Sequence, residues 1–326
     1  MTPVQRRRRG LLRAAGAAAA LAAVPLSLRA QAWPARPIRL ICPFTAGGST
    51  DAILRVMAGV AGRLLGATVV VENKPGAAGT LGAAELANAR ADGYTLSQIP
   101  MGVLSLPHMQ KVAWHPLRDL TFVANLSTYT NGLVVRADAP WRSLGQFLDA
   151  ARAQPGRLSY GCAGLGTYAH VAAEELAFRA GVKLLNVPYK GDADGLQALL
   201  GGHVMALSAS SAWAPQVDSG ACRLLAVYGS QRIRRWPEAP TLRELGFATI
   251  PESPFGIGAP RGLDPALLAR LQDVLRQTMD DPSVVAVLEK YDMPVAWLGA
   301  ADFARAAQSS FDAQREMMGR LGLLAP

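Results

Sequence analysis

A loop of small and hydroxyl-bearing residues follows the apolar run Ile38–Cys42, which predicts a strand. The loop spans residues 43–51 with the sequence PFTAGGSTD, and apolar residues then recur at helical spacing. The first turn of a helix has unpaired N–H groups and lies at the positive end of the helix dipole, so the junction can bind an anion. Gly47 and Gly48 carry no side chain that would keep a ligand at a distance. A purely structural turn has the same composition, so this loop alone does not decide between the two.

A second loop repeats the arrangement. The predicted strand Leu158–Gly161 leads into residues 161–167, with the sequence GCAGLGT, and then into a predicted helix over Tyr168–Gly181. Thr167 stands near the helix start, where its hydroxyl can cap the first turn. Two strand–loop–helix junctions of this kind predict two anion-binding loops that face one cleft.

Other polar residues follow predicted strands, at the sheet edge where ligands usually bind. Tyr189 and Lys190 follow Leu184–Pro188, and Ser208, Ser210 and Ser211 follow His203–Leu207. Lys190 can pair with a second ligand carboxylate or simply extend into solvent.

Two further residues have both a structural and a ligand-binding interpretation. Asp51 can accept a hydrogen bond from a ligand amine or hydroxyl, or it can cap its own helix, which we favour. Trp213 can cover the cleft or pack in the core.

The order of predicted elements indicates an α/β protein. Strands and helices alternate in two stretches, on either side of a looser region between Met101 and Asn131, and they predict mostly parallel sheets. We assign residues 33–132 to the first part of lobe 1, 133–252 to lobe 2, and 253–326 to a return to lobe 1 with C-terminal helices.

The N-terminal segment predicts export. Residues 1–32 hold six arginines and no acidic residue, and the run Ala14–Leu28 is short and apolar. Ala30–Ala32 supplies a cleavage pattern, so we expect cleavage near Ala32 and a mature chain from Trp33. Arg8–Leu12 also fits a twin-arginine signal loosely, and an uncleaved anchor is the alternative.

Charge and composition narrow the classes of partner. The chain has 326 residues, 50% of them hydrophobic, and a net charge of +9, of which only +3 remains outside residues 1–32. We therefore expect no nucleic acid partner. The histidines lack ligand spacing, so we predict no metal, and no motif indicates another cofactor.

The cysteines raise one rival function. The chain has 3 cysteines, an odd number without metal-type spacing, which favours free thiols over one disulfide. Cys162 precedes a helix, and His170 follows it by eight residues, so an exported enzyme with a Cys–His pair is an alternative. Against it, no motif marks a third group that would orient such a pair.

Several short segments, in this order and spacing, resemble a known family. The chain is similar to the substrate-binding receptors of tripartite tricarboxylate transporters, the TctC or Bug family. The matching segments are residues 33–38 (WPARPI), 43–51, 71–76 (VENKPG), 91–96 (ADGYTL), 155–160 (PGRLSY), 187–191 (VPYKG), 200–202 (LGG) and 240–246 (PTLRELG).

The resemblance implies a two-lobed periplasmic binding protein, a type II-like Venus flytrap with a ligand cleft between its lobes. Such a receptor captures a small carboxylated molecule and delivers it to membrane permease subunits, without catalysis. A signalling partner is the alternative output. The resemblance also implies a periplasmic monomer.

In this family, main-chain groups and waters of two loops hold a ligand carboxylate. Here those loops are Phe44–Asp51 and Cys162–Thr167, with His170. The chain departs from the family at Thr45–Ala46, at Cys162 and at Leu207–Ser211, so the resemblance does not name the ligand. The predicted ligand-binding residues are Phe44, Thr45, Ala46, Gly48, Ser49, Thr50, Asp51, Cys162, Ala163, Gly164, Gly166, Thr167, His170, Tyr189, Lys190, Ser208 and Ser210.

Overall fold

The computed structural model describes residues 33–247 and 253–325. The described residues from Arg36 onward form one compact unit. Within it, two sheets with flanking helices define two lobes. The predicted export signal and its cleavage site lie outside the described residues.

The chain begins lobe 1 with alternating strands and helices. The junction expected after the first strand is present, since β1 ends at Cys42 and α1 begins at Ser49. The elements are β1 (Ile38–Cys42), α1 (Ser49–Leu65), β2 (Val69–Asn73), α2 (Leu81–Leu86), β3 (Thr95–Ile99), α3 (Gly102–Met109), α4 (Pro116–Asp119) and β4 (Leu120–Thr128).

Lobe 2 follows directly and repeats the alternation. The second strand–loop–helix junction predicted from the sequence lies here and joins β6 to α6, with Thr167 as the N-cap of the helix. The elements are β5 (Asn131–Arg136), α5 (Leu144–Ala153), β6 (Ser159–Cys162), α6 (Tyr168–Ala180), β7 (Leu185–Pro188), α7 (Asp192–Leu200), β8 (Ala206–Ser210), α8 (Ala214–Asp218) and β9 (Cys222–Val227).

The chain then returns to the first sheet. In the second helix of this returning segment, Asp281 is the N-cap and Pro282 is the first residue. Pro suits this position because it has no N–H to leave unpaired and its fixed φ fits a first turn. The elements are β10 (Pro254–Pro260), α9 (Pro265–Met279), α10 (Pro282–Lys290), β11 (Val295–Gly299) and α11 (Ala300–Leu321).

Both sheets are mixed rather than mostly parallel. Over the described ranges, lobe 1 has the strand order β11-β4-β10-β3-β1-β2 and lobe 2 the order β7-β6-β8-β5-β9. In lobe 1, β10 is antiparallel to β3 and β4, and in lobe 2, β5 is antiparallel to β8 and β9. These two strands enter their sheets from the cleft side after crossing between lobes, so they run against the strands whose C-terminal ends face the cleft.

Several sequence-based element assignments need correction. The loose region after Met101 contains two helices and β4, a strand held by pairing with β10 and β11. The strand predicted at His203–Leu207 lies at Ala206–Ser210, where pairing with β5 sets its register. The change of sheet occurs between β4 and β5, and the predicted lobe boundaries stay predictions.

Among the described residues, none of the helices combines the length and the apolar composition that a bilayer span requires.

Candidate functional site

A small cavity lies between the lobes, where strands of both sheets end. Its volume is about 40 Å³, which holds only a few water molecules. It lies at the C-terminal ends of β3, β6 and β8 and at the N-terminal ends of the crossing strands β5 and β10. The residues that line it are Phe44, Thr50, Pro100, Met101, Gly102, Tyr129, Asn131, Ala163, Thr167, Tyr168, Ala169, Asp192, Ser210 and Ser253.

Four helices begin at this cavity within the described part of the chain. Thr50 is in the first turn of α1, Gly102 opens α3, Tyr168 opens α6 and Asp192 opens α7. The first N–H groups of a helix lack intrahelical acceptors, and the helix dipole places partial positive charge there. The cavity wall therefore attracts an anion, although no Lys, Arg or His stands among the described residues that line it.

The first loop is organised by Asp51. Its carboxylate accepts hydrogen bonds from the Gly47 N–H (3.0 Å) and from Asn73 Nδ2 (2.8 Å), and it pairs with Arg55 (2.9 Å). Burial opposes ionisation of Asp51, but the donors Arg55, Gly47 and Asn73 outweigh it and hold its pKa below the ordinary value. Asp51 thus shapes the loop, and the helix N-cap is Gly48. Ala46 is exposed outside the cavity.

The second loop is organised by Thr167 and His170. Thr167 Oγ1 donates to the Gly164 carbonyl (2.8 Å) and accepts from the His170 N–H (3.3 Å). His170 Nδ1 accepts from the Gly166 N–H (3.2 Å), and burial lowers the pKa of the imidazole to about 4. The neutral ring therefore supports the loop from below instead of lining the cavity.

Cys162 also lies beneath the loop. Its thiol donates to the Gly164 carbonyl (3.6 Å) and accepts from Asn186 Nδ2 (3.1 Å), and burial raises its pKa to about 11. Among the hydrogen bonds of the described residues, none joins Cys162 to His170. A high thiol pKa and a low imidazole pKa are the reverse of an activated nucleophile and its base. Among the described residues, no group of three His, Cys, Asp or Glu is placed to hold a metal ion.

Three other predicted residues do not line the cavity. The Tyr189 ring packs near Gly161, behind the site. Lys190 is exposed. Ser208 Oγ lies 2.7 Å from the Ala169 carbonyl and 2.8 Å from Tyr228 Oη, so its hydrogen bonds stay within lobe 2.

The lobes meet around the remaining predicted residues. Ser49 Oγ of lobe 1 lies 3.2 Å from Ser210 Oγ of lobe 2. Gly164 has a φ of 118°, which favours glycine, and an added Cβ atom would lie 3.3 Å from the backbone of Ala78, so a side chain here would press against lobe 1. Ser105 of lobe 1 also donates to the Gly166 carbonyl of lobe 2. We call these contacts between the two lobes the seam. The structure is therefore a closed form.

Sequence reasoning missed the lining residues at the crossing strands and on α7. Tyr129, whose Oη lies 2.7 Å from Thr50 Oγ1, and Asn131 flank the crossing from β4 to β5. Ser253 precedes β10, a strand whose glycines and prolines resemble a loop. Asp192 lies two residues after Lys190, so the search for polar residues directly after a predicted strand stopped just before it.

Asp192 is the charged residue of the described cavity wall. Its Oδ2 accepts hydrogen bonds from the Ser210 N–H (3.0 Å) and from Ser210 Oγ. Burial raises its pKa from 3.8 to about 6, against the effect of these two donors.

Comparison with known proteins gives consistent matches. A model described as "Tripartite tricarboxylate transporter family receptor" matches residues 53–323. A Cupriavidus necator protein, "UPF0065 protein in gbd 5'region", is 44% identical over 310 residues, which are 95% of each chain.

Two solved structures share the architecture. The R. palustris protein Rpa4515 with adipate is 28% identical, with a TM-score of 0.84 over 90% of this chain and 99% of that one. MatC from Rhodopseudomonas palustris with bound malate is 26% identical, with a TM-score of 0.82 over 87% of this chain and 99% of that one. The two-lobed α/β fold expected from the sequence is confirmed.

The thiols of the folded protein should react slowly. Burial raises the pKa of Cys42 to about 12 and those of Cys162 and Cys222 to about 11, so almost no thiolate forms at pH 8. Mass spectrometry after iodoacetamide treatment should find little alkylation in native protein and full alkylation in denaturant. Rapid native labelling of Cys162 would contradict its placement.

Ionisation of Asp192 should lower the free energy of unfolding as the pH rises from about 4 to about 6. Its raised pKa means that the folded protein binds the proton more tightly than the unfolded chain. This contribution is therefore complete below pH 4 and is lost as the pH rises through 6. Asp192→Asn cannot ionise, so above pH 6 ligand-free variant protein should be more stable than wild type by about 1–3 kcal/mol.

Thermal unfolding from pH 4 to 8 checks this. Asn retains an oxygen acceptor for the Ser210 N–H, so at pH 4 the two proteins should be nearly equal. Parallel pH profiles of the two melting temperatures would show that Asp192 titrates normally.

Proposed function

The chain belongs to the tripartite tricarboxylate transporter receptor family, and from this premise we propose that it captures a small carboxylated molecule and delivers it to a permease. The family identification made from the sequence is thereby confirmed. We further propose that the exported protein works in the periplasm with the permease subunits of such a transporter, and that it performs no chemistry on its ligand.

One observation carries the ligand class: four helix N-termini converge on a cavity between the lobes. Main-chain N–H groups hold a carboxylate at fixed positions, and they cost no side-chain entropy when the ligand binds. The adipate and malate bound by the two structural relatives support the same class. The buried, unactivated Cys162 and His170 support binding without catalysis.

The proposed mechanism is closure of the lobes over the ligand. A cavity of about 40 Å³ is too small for a molecule of the size of malate, so the lobes must separate to admit one. Closure is favoured only as far as the ligand binds the closed form more tightly than the open one. The seam contacts between Ser49 and Ser210 and between Ser105 and Gly166 belong to the closed form.

The ligand class can be tested by thermal unfolding of the exported protein. Adipate, malate and monocarboxylates with and without amino groups should be compared with a diamine and a neutral sugar. A true ligand raises the melting temperature in a saturable way, because 100-fold excess over Kd stabilises by about 2.7 kcal/mol. A shift with the sugar or diamine alone would contradict the carboxylate assignment.

Closure can be tested with a substitution at the seam that would hold the lobes apart. A Cβ atom at Gly191 would lie 2.4 Å from Thr45 Oγ1 and 3.1 Å from Thr45 N in the opposite lobe. The φ of Gly191 is 179°, an extended conformation open to alanine, so Gly191→Ala leaves lobe 2 unstrained. Overpacking costs about 1–3 kcal/mol, so calorimetry should show affinity about 5- to 150-fold lower.

Two further variants serve as controls for Gly191→Ala. Adding Thr45→Ala removes the nearest clashing atom and should restore part of the affinity. Gly59→Ala, where an added Cβ meets no atom within 4 Å, should bind as wild type does. Unchanged affinity in Gly191→Ala would place the ligand away from this seam.

A further inference from the structure

A carboxylate lines a cavity whose other features attract anions. Asp192 opens α7 and faces the space at which the first turns of α1, α3 and α6 also begin. No cationic side chain lines the cavity among the described residues, so only the partial positive charges of the helix N-termini oppose the charge of Asp192. A ligand that carried only carboxylates would bring a like charge beside Asp192. The cavity therefore suits a ligand with two different polar groups.

The position of Asp192 leaves one oxygen available. Both hydrogen bonds from Ser210 go to Oδ2. Among the described residues, no donor is bonded to Oδ1. Asp192 is half-buried, so this oxygen can accept a hydrogen bond from a ligand that enters the cavity.

The seam encloses this carboxylate when the lobes meet. Ser210 donates hydrogen bonds to Asp192, and its Oγ lies 3.2 Å from Ser49 Oγ of lobe 1. The adjacent Gly191 packs against Thr45 of lobe 1. Closing lobe 1 over lobe 2 thus leaves Asp192 half-buried, and the partial loss of hydration of an ionised carboxylate opposes that step.

We propose that Asp192 binds an ammonium group of the ligand, so that the ligand is a carboxylic acid with an amino substituent. This rests on the proposed function, because the helix N-termini hold the ligand carboxylate. A hydroxyl group also donates a hydrogen bond to Oδ1, but only an ammonium group neutralises the enclosed charge as well. Amino acids fit this pattern, and simple dicarboxylates fit it poorly.

A structural role for Asp192 explains the observations less well. An acidic residue in a first helical turn stabilises the helix most simply from the surface, as the exposed Asp194 does two residues later. Asp192 instead lies at the cavity, where burial raises its pKa to about 6. The titratable groups placed near it are Tyr129 from the lobe crossing and Cys162 from β6, and neither is a cation at neutral pH. The position thus costs stability that a ligand ammonium group can restore.

The test compares matched ligands on three proteins by calorimetry at pH 7.5. Each amino acid (alanine, β-alanine, 4-aminobutyrate, glutamate) is paired with the same carboxylic acid lacking the amino group, and lactate and 2-hydroxyglutarate supply hydroxyl analogues. Wild type should prefer at least one amino member over its partner by about 10- to 100-fold, the usual strength of a charged hydrogen bond. Asp192→Asn should lose that preference and bind the unsubstituted acids better than wild type does. Asp194→Asn makes the same charge change on the same helix and should keep the preference.

The outcomes separate the two proposals. If wild type binds acids but prefers the unsubstituted members, or if Asp192→Asn keeps the amino preference, the role of Asp192 is overturned while the carboxylate receptor stands. If no acid of either set binds wild type, both proposals fall. Circular dichroism checks the fold of each variant, and Asp192→Ser is a second variant for which the same loss of preference is expected. The comparison within wild type does not depend on any variant.

Discussion

The protein depends on bringing the first turns of several helices to one small space. Unpaired N–H groups supply positive potential without a charged side chain, so they need no desolvation of a Lys or Arg when the cleft closes. Strand–loop–helix junctions at the facing edges of the two sheets supply them together. The parallel strands β1, β3, β6 and β8 all end at these edges. The mixed topology follows, because the crossing strands must enter each sheet from the cleft side.

Close backbone approach across the seam is the second requirement. Gly164 lies against the backbone of Ala78, and Gly191 lies against Thr45, so main chain meets main chain between the lobes. Side chains there would hold the lobes apart and leave the helix N-termini too far from a shared ligand. The glycines of the loops therefore serve both the turn geometry and the fit of one lobe to the other.

The site also shows how function opposes stability. Asp51 is surrounded by donors that lower its pKa, so its charge stabilises the first loop. Asp192, at the start of a different helix, receives hydrogen bonds from Ser210 and from no other described residue, and burial raises its pKa. The two carboxylates have the same chemistry and opposite environments. In the proposed mechanism, a residue whose ionised form is disfavoured in the closed protein makes closure sensitive to the charge of the ligand.

The sequence by itself determined the two junctions, the export signal prediction and the family, because each rests on residues close together in the chain. Strand ends, glycines and caps such as Thr167 and Asp281 act within one turn of the backbone. Only the tertiary structure decided which polar groups face the cavity. His170 and Cys162 lie beneath the loop, Lys190 is exposed, and Asp192 reaches the cavity, because packing between lobes sets the direction of each side chain. Strands β4 and β10 were missed because pairing with distant strands, rather than local pattern, holds them extended.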